Sequence, residues 1–185
     1  EGSERVVLAS GKNYADALVG ARYADEKDAV LLLVEDALTD DVKAYLEKGT
    51  KEVTILGGSA SVKEEVAKEL KDAKYTVERI AGKDRYKTAV EVANKMETVE
   101  NILVASGENY ADALVASAAA NRFGKSAVLL TEKANWLNDK NFKYLKYKSD
   151  NGTDLQIELP EGHIWAAASS KNIKGEEFVP NMPTE

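Results

Sequence analysis

The stretch Ala9-Ser10-Gly11-Lys12-Asn13-Tyr14-Ala15-Asp16-Ala17-Leu18-Val19 returns as Ala105-Ser106-Gly107-Glu108-Asn109-Tyr110-Ala111-Asp112-Ala113-Leu114-Val115, altered only at Lys12/Glu108. A match of that length does not arise by chance, so the chain contains a duplicated unit. A short apolar run precedes each copy, Val6 to Leu8 and Ile102 to Val104. Another follows each, Ala29-Val30-Leu31-Leu32 and Ala127-Val128-Leu129-Leu130. The unit reads strand, loop, helix, strand.

Between the copies the alternation continues. A helix is expected from about Asp40 to Lys48, a strand from Val53 to Leu56 before Gly57-Gly58, and a strand from Tyr75 to Ile80. Ser61 with Glu64 reads as a capping box for a helix carrying Val62, Val66 and Leu70, and Asp84 as the cap of an amphipathic helix from Arg85 to Met96. Short apolar strands alternating with ten-residue helices predict an α/β fold, an open and mostly parallel sheet with helices on both faces. The repeat region is placed at 1–132, with a first copy at about 5–78 and an incomplete second at about 79–132. The texture changes near Lys133: Leu155, Ile157 and Leu159 alternate with polar residues, and Pro160 to His163 reads as the turn into a second strand, Ile164 to Ala168. Residues 133–185 are therefore expected to contain a β-hairpin.

Net charge is −7, from 32 acidic and 25 basic residues, which opposes bulk attraction to nucleic acid or an anionic membrane surface. There are no cysteines, so disulfides, thiolate metal sites and a cysteine nucleophile are excluded, and the single His163 excludes a site built from several imidazoles. The longest apolar runs fall far below the roughly 20 residues of a membrane helix, so no membrane insertion is expected. The chain begins Glu1-Gly2-Ser3-Glu4, which reads as a processed form or an excised fragment.

Each candidate motif has a structural and a functional reading. Gly11 and Gly107 let a backbone approach an anion at a helix start. Asn13 and Asn109 nevertheless read better as N-caps, with Asp16 and Asp112 reaching back to the cap amide. Gly57-Gly58 lies at a strand's carboxyl end, where open α/β sheets place ligands, but without dinucleotide or P-loop spacing. The segment Arg79 to Thr88 concentrates Arg79, Lys83, Arg85 and Tyr86. Guanidinium groups suit carboxylate or phosphate, and a tyrosine stacks on a sugar ring; the alternative is pairing with Asp84, Asp16 or Glu78. His163 beside Trp165 reads as a structural histidine.

The doubled A-S-G-x-N-Y-A-D-A-L, the V-x-I-L-G-G at Val53 to Gly58 and R-I-A-G-K-D-R-Y-K-T-A at Arg79 to Ala89 resemble the cell wall binding repeat 2 family of clostridial surface-layer-associated proteins. The resemblance covers residues 5 to about 132, about one and a half units. It implies Rossmann- or Toprim-like repeats that hold a protein non-covalently on an anionic cell-wall polysaccharide, with Val30, Leu31, Leu32, Val128, Leu129 and Leu130 near the binding groove. It further implies an extracellular site at the wall or surface layer, no catalysis and no cofactor, and repeats that can self-associate. From about Glu132, the segments around Leu137 to Tyr147, Asn151 to Trp165 and Phe178 to Glu185 resemble part of the aminopeptidase T and S metallopeptidases. That resemblance implies Glu185 as a ligand of a divalent metal, its partners lying beyond this chain, and a cytoplasmic setting as the alternative. On this reading the chain is a wall-binding module first and an inactive peptidase fragment second.

Overall fold

The computed structural model describes residues 2–108, 110–123, 125–131, 144–148, 154–158 and 166–168. The first unit runs β1 (Arg5–Ser10), α1 (Tyr14–Glu26), β2 (Val30–Val34), α2 (Asp40–Leu46), β3 (Glu52–Leu56), α3 (Glu64–Asp72) and β4 (Thr76–Ile80). Its four strands pair in parallel in the order β2-β1-β3-β4. Successive side chains of a strand point to opposite faces. Accordingly Val6 and Leu8 enter one core with Val53, Ile55 and the apolar sides of α2 and α3, while Val7 and Ala9 enter another with α1. Because both its faces are covered, β1 is an apolar run, as the sequence led us to expect, while the edge strands β2 and β4 keep partly exposed residues.

The second unit contains α4 (Arg85–Asn94), β5 (Asn101–Ser106), α5 (Tyr110–Phe123) and β6 (Ser126–Thr131), then β7 (Tyr144–Lys148), β8 (Asp154–Glu158) and β9 (Ala166–Ala168). A hairpin is present, but its strands differ from those expected. β8 pairs antiparallel with β7, from Tyr144 opposite Glu158 to Lys148 opposite Asp154. β9 instead joins β5 in parallel, so the second sheet has the order β6-β5-β9. Alternation marks a strand and says nothing of its partner, which is why the sequence paired the wrong two segments. The order β6-β5-β9 reproduces β2-β1-β3, so the second parallel sheet takes in a strand from beyond residue 132.

The two units share a core. Val7, Ala15, Val19, Tyr23, Leu56 and Ile80 of the first lie in one buried cluster with Ala89, Val92, Leu103, Ala113, Ala116 and Val128 of the second. α4 packs mainly on β6 and α1 and only slightly on β4, so it joins the units. Among the described residues no helix is long and apolar enough to cross a membrane.

Candidate functional site

The parallel strands bring the loops after β1, β2, β3, β4 and β5 to their carboxyl ends, the edge at which such folds bind ligands. Asn13 caps α1 by accepting a hydrogen bond from the Ala15 amide at 3.3 Å, as expected. Asp16 does something else. Its carboxylate is buried, accepts a hydrogen bond from Ser61 and packs against Gly57, tying α1 to the β3–α3 loop. Burial raises its pKa above the usual carboxylate value, against the opposing pull of Ser61 and of the Arg85 charge. Gly57 has φ +94°, and a Cβ there would collide with the Asp16 carboxylate and Ser61, so glycine is required twice over.

The same arrangement corrects the expected capping box. Ser61 gives its hydroxyl to Asp16, and α3 begins after Lys63, which makes no side-chain cap bond. The chain turns there through Gly58, whose carbonyl accepts from the Ser61 and Val62 amides. Gly11 is exposed and donates its amide to the Val34 carbonyl at 2.8 Å, closing the β1–α1 loop onto β2.

The two arginines are held by carbonyls. Arg79 Nη1 donates to Gly57 O at 2.8 Å and Val62 O at 3.0 Å, while Nη2 lies 3.2 Å from the Glu64 carboxylate without hydrogen-bonding geometry. Arg85 Nη1 donates to Gly107 O at 2.6 Å, and its guanidinium carbon sits 5.7 Å from the Tyr14 ring centroid. Arg79 thus fixes a loop of the first unit, and Arg85 bridges the units. Tyr86 is buried with its ring against Gly107, so it is a core residue and presents no face for stacking. Lys83 stays exposed, 3.9 Å from Asp84, and Asp84 caps α4 through the Lys87 amide at 2.7 Å.

Two lysines that the motifs did not single out stand at this edge. Lys12 and Lys63 both pair with Asp36, Lys63 at 3.2 Å, and Lys12 also lies 3.9 Å from Glu35. The ammonium groups hold the Asp36 carboxyl below its ordinary value, and Asp36 raises that of Lys12. All three are solvent-exposed, so these pairs are weak and open to exchange with another anion. Such pairs cannot be foreseen from spacing, because the partners come from different loops. Tyr110 is also new: 61% exposed, it meets the half-buried Tyr14 edge-on with ring centroids 6.0 Å apart.

The apolar runs divide. Val30, Leu31 and Leu32 on the edge strand β2 are partly exposed, and Leu33 beside them is 56% exposed. Val128, Leu129 and Leu130, expected near a groove, are buried at 6% exposure or less, because β6 lies beneath α4 and α1. Depressions of about 500 and 420 Å³ open at the amino ends of the first sheet's strands, bordered by Arg5, Asp28 and Ala29. Neither touches Gly57, Arg79 or Arg85. Asn109, His163 and Glu185 lie outside the described residues, as does the side chain of Asp112. Among the described residues no three His, Cys, Asp or Glu side chains converge, so they do not fit a metal centre.

The model of a family described as thermophilic metalloprotease (M29) matches residues 10–185. The chain belongs to that family. The M29 match takes in the repeated units as well as the segment from 133 onward. Aminopeptidase AmpS of Bacillus subtilis is 50% identical over 56 residues, 30% of this chain and 13% of that protein. N-acetylmuramoyl-L-alanine amidase LytC of the same organism is 34% identical over 151 residues, 80% of this M29 chain and 30% of LytC. The solved structure of Cwp6 from Clostridium difficile superposes with a TM-score of 0.65 and 31% identity, over 70% of this chain and 21% of Cwp6. The chain thus spans less than a third of the length of each of these relatives. Both resemblances stated from the sequence hold, the one to clostridial cell wall proteins and the one to aminopeptidases T and S.

Proposed function

We propose that the chain is a non-catalytic module that attaches a surface protein to an anionic cell-wall polysaccharide of a Gram-positive bacterium, outside the cell. The observation that carries this reading is the similarity to Cwp6 over 70% of the chain. The carboxyl-end edge supports it chemically. In a chain of net charge −7, this edge collects Lys12, Lys63 and Lys83 at the surface, backed by Arg79 and Arg85. A polyanion can displace Asp36 from its two lysines, and Val30 to Leu33 and Tyr110 offer apolar surface to sugar rings. Attraction is local, because the whole molecule repels anions.

Co-sedimentation with protein-free Gram-positive wall fragments tests this. Replacing Lys12 and Lys83 by Glu should weaken retention at least about tenfold, the loss of one or two good charge contacts. Lys51→Glu, at the opposite end of the sheet, should change it little. Equal effects of both changes, or none from either, would contradict a site at this edge.

A second reading is favoured by the M29 match across residues 10–185: the chain forms part of a metal-dependent aminopeptidase, with Glu185 as one ligand. Chelator-sensitive release of amino acids from peptides, lost in Glu185→Ala, would put that reading first.

A further inference from the structure

The strand registers set Arg5 and Val7 of β1 beside Glu52 and Thr54 of β3, and Thr54 beside Glu78 of β4. Neighbours in register share a face of the sheet, here the face that Val7 buries against α1. A central strand of a covered parallel sheet is normally an apolar run, so Glu52 and Thr54 are out of pattern on β3. Helix α4 packs mainly on β6 and α1, and a depression of about 420 Å³ remains over the amino ends of β1 and β3. Five carboxylates, Glu26, Asp28, Glu52, Glu78 and Glu97, line it against two cations, Arg5 and Lys27. Tyr23 lines it too, although only 5% exposed. Its hydroxyl stands close enough to Lys27 and Lys95 to act on both charges and, among the described residues, makes no hydrogen bond.

A hydroxyl on a buried side chain, left without a partner at the bottom of an open depression, is a hydrogen-bonding position for a ligand. The surrounding acids make that ligand a cation. Among the described residues no three of them converge, so they do not suit a single metal ion. They are spread over α1, β3, β4 and the segment after α4, which suits a ligand whose charges are themselves separated. Three of them are held by surface pairs: Glu52 by Arg5 at 3.0 Å, Glu97 by Lys27 at 2.9 Å and Glu78 by Lys95 at 2.7 Å. Pairs of this kind are weak and exchange readily with another cation. Between the charges, Val7, Ala29 and the Tyr23 ring give the lining an apolar part. We propose that this depression binds a linear polyamine, an alkyl chain bearing separated ammonium groups. One ammonium group donates to the Tyr23 hydroxyl, others replace Arg5 at Glu52 and Lys95 at Glu78, and the methylene stem lies on the apolar lining. The site is at the opposite end of the sheet from the lysine-bearing edge and takes a ligand of the opposite charge.

Isothermal titration of spermidine into the full chain at low ionic strength tests this. One saturable equivalent is expected. Glu52→Gln combined with Glu78→Gln should weaken binding at least about tenfold, the loss of good charge contacts. Glu65→Gln combined with Asp72→Asn removes the same charge from the exposed side of α3 and should change binding less than about twofold. Tyr23→Phe keeps the ring in the core and loses only the hydroxyl; it should weaken binding about fivefold, the effect of one hydrogen bond. Equimolar calcium should not displace the polyamine. Absence of saturable binding, equal losses in the two double variants, full affinity in Tyr23→Phe, or displacement by equimolar calcium would each overturn the proposal.

Discussion

The Asp16 carboxyl group rests against Gly57, takes the Ser61 hydrogen bond and feels Arg85, and burial still raises its pKa. A raised value means that the folded chain holds a proton which the unfolded chain releases. Its contribution to stability is therefore full below the ordinary carboxylate pKa and is lost as pH rises through the raised value. Urea unfolding from acid to neutral pH should show stability falling across that window, and Asp16→Asn should flatten the fall. An unaltered pH profile would mean that another group titrates there. At this scale, residues that act locally were legible: Asn13 and Asp84 cap their helices because cap chemistry involves the next few amides. Residues whose partners arrive through the fold were not. Asp16 reads as a capping-box acid until the β3–α3 loop brings Ser61 to it, and Arg79 reads either as a cation for an anionic ligand or as a partner of Asp84, Asp16 or Glu78 until β4 places it under the Gly57 and Val62 carbonyls.

Each helix through α5 and each strand through β6 follows from an apolar run or a 3.6-residue pattern, because burial on one side or both writes itself into the sequence. Pairing is the part that sequence hides. β8 and β9 were both recognisable as strands, yet β8 takes β7 and β9 crosses to β5, a choice made by the whole sheet. Caps can be ranked the same way. Asp84→Ala should destabilise the chain by about 1 kcal/mol, since α4 loses the acceptor for its Lys87 amide. Ser61→Ala removes no helix cap, because α3 starts after Lys63; its cost should vanish in an Asp16→Ala background, where the buried acceptor it serves is gone. Denaturation midpoints of the two single variants and the double variant decide this. Additive losses would mean that Ser61 acts on α3 directly.

Across the whole molecule, one core runs from Val7 in the first sheet to Leu103 and Val128 in the second, so the units should unfold together. Leu103→Ala should cost about 2 to 5 kcal/mol, the usual range for a buried leucine. Hydrogen exchange should quicken in β1 and β3 as well as β5 and β6; loss of protection in the second sheet alone would mean independent units. The shared core also sets the carboxyl ends of both sheets side by side, joined where Arg85 meets Gly107 and Tyr14, which makes one continuous edge. The most direct test of wall binding is the exchange footprint left by purified anionic wall polysaccharide on the full chain. Added protection is expected in the loops carrying Lys12, Asp36, Lys63 and Lys83, with the amino-end depression around Arg5, Asp28 and Glu52 unchanged. Protection confined to that depression, or none anywhere at saturating polymer, would contradict the account.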